Sequence, residues 1–240
     1  MKEDDTLLAK HKNRGAVNKQ IAVRTHSEAF SCFLSELLSS WGFEICSPDS
    51  AEVLLLSEEG LGEPLTGQKV IWLTASQYQG SDRLSLPLEF EQLWQTLEHR
   101  FHRPPRMHIR MSLELPAVVS ARGRVCTTAL SSLSDMGGRF FCPHEMIRDE
   151  QVMVQMEVSG VRKRMDGCVI FAAPCHEEGV EGFRIGVVFH GLKRDSRDDL
   201  RNFLIQRYLE AIRGRMSDAV FRAGLAEFAL SPSLRQSLNL

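Results

Sequence analysis

Arg106-Met-His-Ile-Arg110 and, about twenty residues later, Ser132-Leu-Ser134-Asp-Met-Gly137-Gly138 are the stretches whose residue types and spacing could do chemistry. A guanidinium offers a rigid fork of N–H donors that fits a phosphate or the O6/N7 edge of a guanine. Two such forks at i, i+4 suit a compact ligand carrying two phosphates and a guanine. The hydroxyl of Ser134 could donate to a phosphate oxygen. Gly137 and Gly138 let backbone approach a ligand with no Cβ in the way. The same residues also have plainer readings. An arginine pair fits a solvated basic linker, and Ser134 with Gly137 fits an ordinary turn between strands.

Other chemistries are poorly supplied. The cysteines at 32, 46, 126, 142, 168 and 175 form no CxxC and no pair with zinc-ligand spacing. Cys142 with His144, and Cys175 with His176, give two ligands per cluster where zinc needs four. Ser112, Ser131 and the histidines follow no nucleophile-elbow or triad pattern. Reduced thiols acting as small hydrophobes are expected, with no metal, no cofactor and no enzymatic activity.

The elements that must position these residues fall into two textures. Residues 21–25, 43–46, 51–56 and 69–74 read as short apolar strands. Residues 27–42 and 90–101 read as amphipathic helices. Phe30, Phe33, Leu34, Leu37, Leu38 and Trp41 form the stripe of the first, and Gly42 stands at its C-cap. Alternating strands and helices predict a parallel α/β sheet. From Arg100 the chain turns basic and carries Pro104 and Pro105, which stop any helix. Beyond it, strands at 111–120, 125–133, 138–142, 151–158, 167–173 and 183–189 follow one another without helices, as in a small antiparallel barrel. Arg122 and Arg124 fall at a solvent-exposed hairpin tip. Residues 196–213 form a strong helix, 216–230 continue helically, and 231–240 read as a loose tail. The helix at 196–213 packs on the barrel, or alternatively forms a dimer seam.

The second half resembles a PilZ domain, the bacterial receptor module for cyclic diguanylate. Arg106 and Arg110 match its RxxxR. Ser132-Leu-Ser134-Asp-Met-Gly137 matches [D/N]xSxxG except at its first position. Residues 186–200 look like its last strand, turn and helix start. The resemblance implies a cyclic diguanylate site built from Arg106, Arg110, Ser132, Ser134, Gly137 and Gly138, with Arg103 and Asp135 as lesser contributors. In that family the first position holds a guanine edge. A serine hydroxyl cannot present two groups there, so one hydrogen bond is lost, worth about 0.5–1.5 kcal/mol. The resemblance also admits an adaptor that acts by protein contact and binds no nucleotide.

The first half resembles a response-regulator receiver stripped of its chemistry. Thr74-Ala75 matches the end of its fourth strand, and Leu86-Pro87 the region that leads into its last helix, with Leu86 in place of the lysine before the proline. Ser57 stands where the phosphoacceptor Asp would be, and Arg24-Thr25 replaces the acidic pair. Without a carboxylate nucleophile or acidic oxygens for Mg²⁺, no phosphorylation is expected. One or two helices of the receiver pattern are expected to be missing or reduced.

The resulting expectation is a two-domain effector. It has an N-terminal arm (1–19), a flavodoxin-like pseudo-receiver (20–101), a basic linker with RxxxR (102–111), a six-stranded PilZ barrel with C-terminal helices (112–230) and a tail (231–240). Ligand would order the linker and alter relative domain orientation, signalling to a protein partner through the receiver-like domain. A homodimer is compatible with this. The net charge of −2 argues against general nucleic-acid binding. The N-terminus lacks the apolar core of a signal peptide and no apolar run reaches transmembrane length, so no membrane and a cytoplasmic location are expected.

Overall fold

A computed structural model describes residues 19–57, 69–75, 82–177 and 180–238. The chain divides into two compact units, 1–106 with 212–229, and 107–211 with 230–240.

The first unit is a parallel sheet of β1 (Gln20–Arg24), β2 (Glu44–Ile45), β3 (Val53–Ser57), β4 (Lys69–Thr74) and β5 (Arg83–Ser85). Its order, β2-β1-β3-β4-β5, is the flavodoxin-like one. All of β3 is buried, as its run of leucines requires in a sheet covered on both faces. Helix α1 (Glu28–Ser40) starts where Ser27 Oγ accepts the Phe30 N–H. It ends at Gly42, whose φ of +85° suits glycine, and the Phe43 N–H then bonds the Leu38 carbonyl at 3.0 Å. Its stripe of Phe30, Phe33, Leu34, Leu37 and Leu38 is fully buried. Helix α2 (Phe90–Phe101) buries Leu93, Trp94, Leu97 and Phe101. Residues 58–68 and 76–81, where missing or reduced helices are expected, lie outside the described residues, as does the arm 1–18.

The second unit is a closed antiparallel barrel in the order β10-β11-β8-β7-β6-β9. Its strands are β6 (Arg110–Ala121), β7 (Arg124–Ser134), β8 (Gly137–Cys142), β9 (Gln151–Val158), β10 (Val161–Glu177) and β11 (Val180–Phe189). Two hairpins turn through left-handed pairs, Arg122-Gly123 and Ser159-Gly160, whose twist matches that of the strands. Helix α3 (Arg194–Arg213) adds Leu200, Phe203 and Leu204 to the barrel core of Val119, Leu130, Phe140, Val154 and Ile185.

Two segments depart from the sequence reading. Helix α4 (Asp218–Leu225), expected with the barrel, belongs to the first unit. Phe221 meets Phe33 of α1 with ring centroids 5.7 Å apart, and Phe228 stacks on Phe90 at 4.4 Å. Gly224 allows this approach, since a Cβ there would lie 2.2 Å from that of Phe33. The tail is also structured as far as it is described, to Leu238. Pro232–Ser237 forms α5, capped by Ser231 and held by buried Leu234 and Leu238.

Candidate functional site

The barrel ladder brings the two halves of the motif together. Arg110 of β6 is opposite Ser134 of β7, Ser134 is opposite Gly137 of β8, and Gly137 is opposite Val188 of β11. Directly opposed residues share a face. Ser132 lies two residues from Ser134 and is paired with Ser112 on one side and Arg139 on the other. Gly138 instead pairs with Leu133 and Val187, a row whose side chains enter the core. The ladder therefore groups Arg110, Ser132, Ser134 and Gly137, and leaves Gly138 on the other face.

Each of these residues has a local physical reason. Gly137 is set by the neighbouring strand, because a Cβ there would come within 2.2 Å of the Val187 carbonyl oxygen. Ser134 closes the turn: its Oγ donates to the Gly137 carbonyl at 3.2 Å and accepts the Met136 N–H at 3.3 Å. Its single proton is therefore used inside the turn, and a phosphate contact would have to compete for it. Ser132 is buried and Arg110 is exposed at the start of β6.

The arginine segment is anchored at every second residue. In the first unit, the Arg106 N–H donates to Glu98 Oε2 at 3.3 Å, and its carbonyl accepts the Trp94 Nε1–H at 3.2 Å. Its side chain is left exposed, as is that of Arg103. In the second unit, His108 Nδ1 stands 3.0 Å from Asp135 Oδ1, a close contact outside hydrogen-bond angles. The Arg110 carbonyl accepts the Tyr208 hydroxyl of α3 at 2.8 Å. Burial pushes that phenol up to about 12, so it stays a donor at neutral pH.

Asp135 is the densest charge in this neighbourhood. It is 2% exposed, accepts from Arg201 Nη2 at 3.0 Å and lies 3.8 Å from Arg197 Nη2. Arg201 also reaches Asp198 at 2.9 Å. Asp135 is thus committed to structure and is poorly placed to take a base edge. Sequence reasoning ranks His108 as a weaker candidate that more simply alternates along an extended segment, and it missed Arg197, Arg201 and Tyr208. Arg197 and Arg201 repeat the i, i+4 spacing of the motif arginines on a helix, which was the available signal. Their partner, 66 residues from Arg201, was not visible locally.

The family profile of the PilZ domain matches residues 101–206. Those residues are a PilZ domain. Solved structures similar to the chain include the Bacillus subtilis inhibitor of motility MotI/DgrA, at 13% identity and TM-score 0.40, covering 45% of this chain and 53% of that one. MrkH of K. pneumonia in complex with c-di-GMP follows at 16% identity and TM-score 0.40, covering 45% and 55%. The PilZ domain of YcgR from Escherichia coli with c-di-GMP is 15% identical with TM-score 0.38, covering 46% and 96%. The chain spans about half the length of the first two. No curated protein matches it. The profile match covers the barrel and α3 as far as Gln206, and leaves the sheet of the first unit unassigned. Among the described residues no helix is long and apolar enough to cross a membrane.

Proposed function

We propose that the chain is a cyclic diguanylate receptor that catalyses no reaction. Arg106 and Arg110 supply guanidinium forks to phosphates and guanine edges, and Ser132, Ser134 and Gly137 form the barrel wall beside Arg110. The carrying observation is the ladder row Arg110–Ser134–Gly137, which unites both halves of the family motif on one face. The chain passes from one unit to the other between Arg106 and Met107, inside the motif. Ligand that orders residues 106–110 therefore restrains that connection, and a change in relative domain orientation is the signal we assign to it. The flavodoxin-like unit, a pseudo-receiver on this reading, presents that signal to a protein partner. Glu98 and Asp135 set the resting geometry of the segment.

Calorimetry of the full chain with cyclic diguanylate tests the reading. Saturable binding at or below tens of micromolar is expected, and no heat at that concentration sinks it. Arg110→Ala should weaken binding more than tenfold, because a charge-assisted contact is lost. Wild-type affinity in that variant would show the motif to be misassigned.

The second reading is an adaptor that binds no nucleotide. Ser132 at the Asp/Asn position and the use of the Ser134 proton within the turn favour it. A melting curve separates the two. Ligand at about 100 times its dissociation constant adds roughly 2.7 kcal/mol to a receptor, and nothing to an adaptor.

A further inference from the structure

Next to the row of Arg110, Ser134 and Gly137 runs a second one, on the same face and two residues along β6, β7 and β8. It crosses five strands as Ser112, Ser132, Arg139, Gly186 and Phe171. Arg139 is the immediate cross-strand neighbour of Ser132, the position at which this chain departs from the family motif. Its guanidinium carbon stands 5.6 Å from the centroid of the Phe171 ring. Gly186 makes that placement possible, because a Cβ there would lie 2.0 Å from Phe171 Cε1. The ring thus occupies the space a side chain at 186 would need, and supports the guanidinium from β10.

A guanidinium held by its face over a ring keeps its N–H groups at its edge. Ser132 alone cannot present two groups to a base. Asp135, the other candidate, is buried and taken by Arg201, Arg197 and His108. Resting on the receptor reading above, we propose that Arg139 is a specificity-determining residue of this site. It forks onto the O6 and N7 acceptors of one guanine, with Ser132 beside it and Phe171 as its support. The carboxylate or amide that reads guanine in the family motif is thereby replaced by a cation that reads a different edge of the same base. Adenine carries an amino donor where guanine has O6, so the same fork rejects it.

The test compares cyclic diguanylate with its analogue bearing 7-deazaguanine, in which N7 becomes C–H, by calorimetry on the full chain. Wild type should bind the analogue about tenfold more weakly, at the low end for a bidentate base contact. Arg139→Met should bind cyclic diguanylate about tenfold more weakly and lose at least threefold of that discrimination. Arg139→Lys, which keeps the charge and loses the fork, should behave like the methionine variant. Arg139→Met with wild-type affinity and discrimination overturns this inference alone, as does Arg139→Lys that retains both. Failure of wild type to bind cyclic diguanylate overturns the receptor reading, and this inference with it.

Discussion

Glu98 and Asp135 are two buried carboxylates that hold the same short arginine segment by different means. Glu98, in the sheet unit, is fully buried and lies 3.9 Å from Lys19 and 3.6 Å from His102. It grips the segment through the backbone N–H of Arg106, a group that any residue except proline would supply. Desolvation holds the Lys19 ammonium below the usual lysine range, partly offset by the Glu98 charge. Asp135, in the barrel unit, grips the segment through the His108 side chain, and is itself held by Arg201 and Arg197. One anchor depends on chain path and the other on residue identity. They also differ in redundancy, because Arg106 has a second bond from Trp94, while His108 rests on Asp135.

Asp135→Ala should therefore have the largest effect. It removes the common partner of three basic groups in a buried setting, and a loss of about 3 kcal/mol is expected in urea unfolding. Freeing His108 should also weaken cyclic diguanylate binding more than tenfold. A variant with reduced stability and unchanged affinity would confine Asp135 to scaffolding and break the link between this anchor and the ligand. Glu98→Ala ranks next, at about 2 kcal/mol, from the unsatisfied Arg106 N–H and the unpaired Lys19. Its affinity should stay within about threefold of wild type, since Trp94 still holds Arg106. Equal affinity losses in the two variants would erase the asymmetry.

The sequence carried different parts of this arrangement to different degrees. The α1 stripe and its Gly42 cap were legible because both are local: helical periodicity and one left-handed residue define them. The strands on either side of Ser134 were legible for the same reason, from alternation and turn residues. β5 was not, being three residues long with two polar ones. α5 was overlooked although Ser231-Pro232 is an N-cap followed by proline at the first helical position. The reason for Gly137 lay beyond sequence, since the atom that excludes a side chain belongs to Val187, fifty positions on. In the site, the motif residues could be named from their spacing. What each is committed to could not, because Asp135 with Arg201, Arg110 with Tyr208 and Arg139 with Phe171 are all pairings between distant segments.

The smallest effect belongs to the third anchor, the Tyr208 hydroxyl on the Arg110 carbonyl. Like Glu98 it holds backbone, so Tyr208→Phe should cost only about 1 kcal/mol and change affinity little. Its pH dependence is what sharpens the comparison. Burial raises the phenol from 10.0 to about 12, so the folded state favours the protonated form. That stabilisation is complete below the unfolded value and is lost as pH rises through the window from about 10 to about 12. Wild type should be more stable than Tyr208→Phe at pH 9 and should lose that advantage across the window. A difference that persists unchanged to pH 12 would show that the Tyr208 phenol is not buried at the start of β6, and its contact with the Arg110 carbonyl would fall with it.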